Sequence, residues 1–225
     1  LIDFNDVINS DNPVFVLNDI YAFDQVVVGI KAIDPIHFQT ILDTNLNWIH
    51  NQYIRKIKKN IWKKELKKNK NHKLIDLAKN WYGLDIPISM DYIEVKKDSL
   101  NKFLWIGRAY PYRWITIHEI NTPKITTPEV YWQKFDSLIN KTMENVEISE
   151  HYRNHHVNLK INQKVLIGVY GQIEVNTGGP FVSYIFENKL DKKSYILTGF
   201  INNPGKTKIL MIKELELIFE NSKII

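Results

Sequence analysis

The chain has 225 residues, 44% hydrophobic, 24% charged and 12% aromatic, with a formal net charge of +5. This is enough apolar material for one large core or two small ones, and it excludes a disordered chain or a disulfide-stapled miniprotein. There is no cysteine, which excludes disulfides, thiolate metal sites and a cysteine nucleophile, and no apolar run approaches the roughly 20 residues of a spanning helix. Ile, Asn and Lys supply 33, 23 and 26 residues. All three have adenine- and thymine-rich codons, so the lysine total alone says little about an anionic partner.

In chain order, residues 13–33 read as two strands, PVFVL and QVVVGIKAI, with Gly29 as a bulge or close-packing point. Asp34-Pro35 ends the second strand and opens a helix, Asp as cap and Pro in the first turn. Phe38, Leu42, Leu46, Ile49, Tyr53, Ile57 and Ile61 recur at three- and four-residue steps, predicting one long amphipathic helix from Pro35 to Lys68. A polar break at Asn69-Lys70-Asn71 precedes a short helix from His72 to Tyr82, stopped by Gly83.

The remainder reads as strands near 91–96, 103–109 and 114–120, a helix over 128–144, strands near 165–175, 181–186 and 194–201, and a last helix over 207–220. Ile93-Glu94-Val95 answers Ile173-Glu174-Val175, Phe103-Leu104 answers Phe181-Val182, and Ile120 to Lys124 answers Ile201 to Lys206. The offset is nearly constant, so 91–145 and 165–221 are expected to be copies of a βββα unit. The fold class is therefore α+β: antiparallel sheet with the long helices packed on one face. With no Gly-, Ser- or Pro-rich linker, 1–225 is expected to form a single domain.

The most distinctive text is Gly171-Gln172-Ile173-Glu174-Val175, then Gly178-Gly179-Pro180-Phe181-Val182-Ser183-Tyr184, then Gly199-Phe200-Ile201 and Glu214-Leu215-Glu216. Together with Phe103-Leu104-Trp105-Ile106 and Ala22, Gln25 and Val26, it resembles the uncharacterised DUF4837 family of predicted Bacteroidota lipoproteins. The family's tryptophan before Glu-Val is Ile173 here, its aromatic-Ala before Pro is Asn202-Asn203, and its Gly/Pro-rich segment is replaced by residues 151–156. The resemblance implies a cell-envelope lipoprotein domain, anchored by lipid to the outer membrane through a segment outside this chain. It implies no activity and no cofactor.

Four motifs carry candidate chemistry. Gly199 to Thr207 ends in Gly-Lys-Thr like a phosphate-binding loop, but five residues separate its glycines instead of four; it reads as a strand-to-helix turn or as a nucleotide site. His151, His155 and His156, beside Glu147 and Glu150, would place two histidines one helical turn apart, a spacing suited to zinc and to a hydrolase; the other reading is a polar loop. Gly178-Gly179-Pro180 with Phe181 predicts a tight turn, either structural or offering exposed backbone to a ligand or partner. Trp105, Tyr110, Tyr112 and Trp114 flank one strand turn as core residues or as a stacking platform. No catalytic residue and no metal ligand is assigned.

Finally, Arg55 to Lys73 holds ten basic residues and one acid, Glu65. Arg55, Lys56, Lys59, Lys63 and Lys67, with Lys64 and Lys68, are expected to line the solvent face of the long helix. Lys59, Lys63, Lys64 and Lys67 then suit an anionic lipid surface. The expected partner is an unidentified envelope protein or such a surface, and an envelope location disfavours nucleic acid.

Overall fold

The computed structural model describes residues 2–4, 12–121, 127–158, 163–188 and 192–225. The chain divides into two compact units, Leu1–Ile61 and Trp62–Ile225, where the sequence suggested one domain.

In the first unit, strands Ile2–Phe4 (β1), Val14–Asn18 (β2) and Val26–Ala32 (β3) form a sheet in the order β1-β3-β2. Helix Pro35–Ile61 (α1) follows. Its start is as the sequence predicts: the Asp34 carboxylate accepts the His37 N–H at 2.7 Å. Gly29 is a close-packing point, since a Cβ there would lie 2.2 Å from the Phe15 ring. The core is small: Ile30, Ala32 and Ile41, with Val14, Phe38, Leu42 and Ile49 half-buried against them.

The long helix does not run to Lys68. At Trp62–Leu66 the chain widens into a π turn, and the Lys67 N–H donates to the Trp62 carbonyl five residues back, at 2.8 Å. Leu66, the last residue of that turn, is completely buried. Helix His72–Tyr82 (α2) then starts at Asn71, whose side chain accepts the Leu74 N–H at 3.2 Å, and stops at Gly83 with φ 62°. Both ends match the sequence.

The second unit is built on one antiparallel sheet. Leu84–Asp85 (β4) pairs with a terminal strand; then come Ile93–Asp98 (β5), Phe103–Arg108 (β6), Tyr112–Asn121 (β7), helix Pro128–Thr142 (α3), Val146–Ile148 (β8), Asn154–Asn158 (β9), Gln163–Gln172 (β10), Thr177–Asn188 (β11), Lys193–Asn202 (β12), helix Ile209–Glu220 (α4) and Lys223–Ile224 (β13). The order is β5-β6-β7-β12-β11-β10-β8, with β9 also along β10 and β13 along β4. In this unit the sequence reading found the six long strands and all three α-helices. It missed β4, β8, β9 and β13, each five residues or fewer.

The α+β class and the antiparallel sheet are as expected, but the helices do not share a face. Side chains alternate along a strand. Phe181, Ile185, Ile196 and Phe200 pack with Tyr131, Trp132, Phe135 and Ile139 of α3. Their neighbours turn to the other face, where Gly199 meets Leu215 of α4 and the Tyr184 ring meets Phe219 at 5.5 Å. The two βββα segments recur in order, yet the first sends its helix to one face and the second to the other, so a single rotation cannot superpose them as copies. The α3 core is aromatic: Phe135 stacks on Phe181 at 5.1 Å, a pair worth about 0.5–1.5 kcal/mol beyond its buried area. Val130 is exposed, because the buried stripe of α3 runs through Tyr131, Trp132, Phe135, Ile139 and Thr142.

Candidate functional site

The charges of the second unit are sorted by one buried cluster. Arg108 at the end of β6 and Arg113 at the start of β7 both face Glu214 of α4. The Glu214 oxygens lie 3.3 Å from Arg108 Nη1 and 3.3 Å from Arg113 Nε. The second of these is a contact by charge, without the direction of a hydrogen bond. Arg108 also pairs with Asp91 and lies 3.7 Å from Glu65 of the π turn. Burial pushes the Glu214 carboxyl above its ordinary range; the two arginines oppose that, and Glu65 and Asp91 add to it. Burial likewise raises the hydroxyl of Tyr92, which lies under the Arg108 guanidinium. Removing one partner of such a cluster would leave a buried charge uncompensated.

The consequence for the surface is direct. Glu65, the one acid between Arg55 and Lys73, is drawn toward Arg108, while Leu66 beside it is buried. Lys63, Lys64, Lys67, Lys68, Lys70 and Lys73 are all exposed. Among the described residues none of these six makes an ion pair. The π turn and the cap at Asn71 therefore hold six unneutralised cations within eleven residues. Lys59 is exposed too, but belongs to the first unit. The expected single stripe is broken in two ways: the helical phase ends at Ile61, and Lys56 pairs with Asp24 at 3.0 Å.

Beside this segment is a hollow of about 360 Å³ bordered by Trp62, Lys70, His72, Lys79, Asp85 and Lys223. Lys79 is partly neutralised by Asp85 at 3.3 Å. Lys70 and Lys223 give the hollow a net positive rim, with Trp62, Ile75 and Pro87 as apolar wall. Such a site suits an anionic group attached to an apolar or sugar-like body.

The other sequence candidates fall elsewhere. Gly178, Gly179 and Pro180 are not a turn. They lie inside β11, where a Cβ on Gly178 would stand 2.2 Å from the Tyr170 carbonyl oxygen and one on Gly179 2.0 Å from that of Ile201. Phe181 is buried in the α3 core. The histidines are not helical: His155 and His156 are consecutive in β9, pairing with Leu166 and Val165, so their side chains leave opposite faces, and His151 lies in the preceding bend. His155 and His156 border a mostly apolar hollow of about 220 Å³. Among the described residues no group of three His, Asp or Glu side chains is placed to hold a metal ion. Gly199 to Asn202 is the end of β12, and the turn is Pro204-Gly205, with Gly205 at φ 67°. With antiparallel neighbours and Gly199 filled by Leu215, no phosphate-cradling loop forms there. Trp105 and Trp114 pack on the α3 core, whereas Tyr110 and Tyr112 are exposed and touch edge-to-face at 5.9 Å.

The sequence reading missed Arg108, Arg113 and Asp91. Two arginines at the facing ends of consecutive strands, joined by a three-residue turn, were a usable signal.

Residues 70–221 match the domain of unknown function DUF4837. The chain belongs to the DUF4837 family. The matched residues lie within the second unit and include β4 to β12, α3 and the Glu214 cluster apart from Glu65. No curated protein matches the sequence. Among solved structures, the Ran-binding protein Mog1p of Saccharomyces cerevisiae is similar with a TM-score of 0.43 and 6% identity, over 63% of this chain and 90% of Mog1p. LpqN, involved in cell envelope biogenesis of Mycobacterium tuberculosis, is similar with a TM-score of 0.37 and 12% identity, over 62% of this chain and 82% of LpqN. At these scores the likeness says nothing about sites or partners.

Proposed function

We propose that this DUF4837 chain is a non-catalytic, lipid-anchored domain of the cell envelope that binds an anionic surface through Lys59, Lys63, Lys64 and Lys67. The observation that carries the reading is the set of exposed lysines whose only local acid is turned toward Arg108. Lysines near an anionic surface contribute on the order of 1 kcal/mol each, and the attraction fades within a Debye length. A lipid anchor of one chain holds weakly by itself, so a cationic patch is a natural second attachment and would orient the domain. The ligand chemistry is the phosphate of a phospholipid or lipopolysaccharide headgroup. Co-sedimentation with phosphatidylglycerol-containing vesicles should be salt-sensitive, and replacing the four lysines by Gln should weaken it by about tenfold or more at low salt. Equal binding to neutral and anionic vesicles at low salt would overturn the reading.

A further inference from the structure

The turn between β2 and β3 carries Ile20, Tyr21, Ala22 and Phe23. Ile20 is 52% exposed, Tyr21 71% and Phe23 87%. Single exposed apolar residues are ordinary on protein surfaces. Three large ones on the apex of one hairpin form a patch that asks for a partner.

The apex is built, and its apolar side chains are not what builds it. The Asp19 N–H donates to the Gln25 carbonyl at 3.1 Å, the Gln25 N–H donates to Asp19 Oδ1 at 3.1 Å, and the Tyr21 N–H donates to Gln25 Oε1 at 3.1 Å. Asp19 and Asp24 take φ of 59° and 65° to close the turn. Asp24 is held by Lys56 of α1 at 3.0 Å. Both acids of the turn are therefore engaged within the unit. The Lys56 pair also sets the apex beside the C-terminal end of α1, where Lys59 is one turn from Lys56 and Arg55 one turn from Lys59, both exposed.

An apolar apex with an aromatic hydroxyl, closed backbone donors and a cationic shoulder fits the boundary of an anionic bilayer. Tyrosine settles at the headgroup level, Phe and Ile enter the acyl boundary, and Lys and Arg stay with the phosphates. The cationic shoulder favours lipid over an uncharged apolar groove on another protein. We propose that Ile20, Tyr21 and Phe23 form a membrane-insertion tip that adds a salt-resistant component to binding. For the sign of the lipid charge this rests on the proposed anionic-surface function; for the apolar component it does not.

The test uses the whole chain, a monolayer balance and vesicles of phosphatidylcholine with or without phosphatidylglycerol. The wild type should raise the surface pressure of an anionic monolayer and retain part of its vesicle binding at high salt. A Tyr21→Ser/Phe23→Ser variant, folded by circular dichroism, should lose the pressure rise and about tenfold of the high-salt partition, while keeping most low-salt binding. Unchanged pressure and partition in that variant would overturn the tip. Salt-sensitive binding of the wild type with no pressure rise would remove the tip and leave the lysine reading standing. A pressure rise on neutral lipid, with full binding kept after the four lysine substitutions, would support the tip and remove the lysine reading. A dimer lost in the variant with no effect on lipid would assign the apex to a second copy of the chain and overturn the proposal.

Discussion

His118 shows how much one side chain reports about its surroundings. Thr142 donates its hydroxyl proton to the Leu138 carbonyl at 2.7 Å, so its oxygen can only accept from His118 Nε2, 2.9 Å away. The ring is therefore the neutral Nε2–H tautomer, with Nδ1 buried and without a partner, and Phe103 lies 4.7 Å from it. Burial depresses the pKa to about 3 from an ordinary 6.5. The unfolded chain takes up this proton in that window and the folded chain does not, so stability falls as pH drops from 6.5 toward 3. His118→Gln keeps the donor to Thr142 and cannot be protonated. Denaturant unfolding at pH 7 and pH 4.5 should show a smaller loss in the variant, by roughly 1–3 kcal/mol. Parallel pH profiles would contradict the assignment. The position was legible in principle: Trp114, Thr116, His118 and Ile120 alternate in one strand, which puts the histidine on the same face as Ile120.

At the scale of the element, spacing and caps served well where local chemistry decides. Asp34, Asn71 and Gly83 end or begin helices because their side chain or φ satisfies the backbone there. They failed where a distant strand decides. Gly178-Gly179-Pro180 has the composition of a turn, yet it is strand, because carbonyls of β10 and β12 crowd the places where Cβ atoms would stand. Nothing local reveals that the neighbours come from residues 170 and 201. The long helix failed similarly: Leu66 stands five residues after Ile61, off the three- and four-residue period, and it is buried at the end of a π turn. The glycine argument makes a paired prediction. Gly179→Ala should destabilise by about 3 kcal/mol, the cost of forcing an atom into a packed core. Gly171→Ala, whose Cβ would have 4.0 Å to the Thr177 carbonyl oxygen, should cost less than about 1 kcal/mol. Comparable thermal shifts in the two variants would mean that backbone crowding does not explain Gly179.

At the scale of the whole molecule, the division at Ile61 separates two very different cores. The second unit holds an eight-strand sheet between α3 on one face and α2 and α4 on the other, α2 through Tyr82 against Tyr195, and every matched family residue lies inside it. The first has, among its described residues, four buried apolar side chains, Val28, Ile30, Ala32 and Ile41, and a ring of half-buried ones. A core of that size in about 60 residues rarely supplies more than a few kcal/mol. The sequence did not reveal the division, because α1 and the π turn run through it without a Gly, Ser or Pro break. The expectation is that residues 62–225 expressed alone fold, with a cooperative thermal transition and the near-ultraviolet dichroism of the packed α3 aromatics. Residues 1–61 alone should show no cooperative transition. Because Lys63, Lys64 and Lys67 stay with the larger piece, it should retain salt-sensitive binding to anionic vesicles. It would also lack Ile20, Tyr21 and Phe23, so its binding should vanish at high salt. A 62–225 fragment that melts without cooperativity would mean that the larger core depends on residues before Trp62, and the division would then be one of geometry without independent stability.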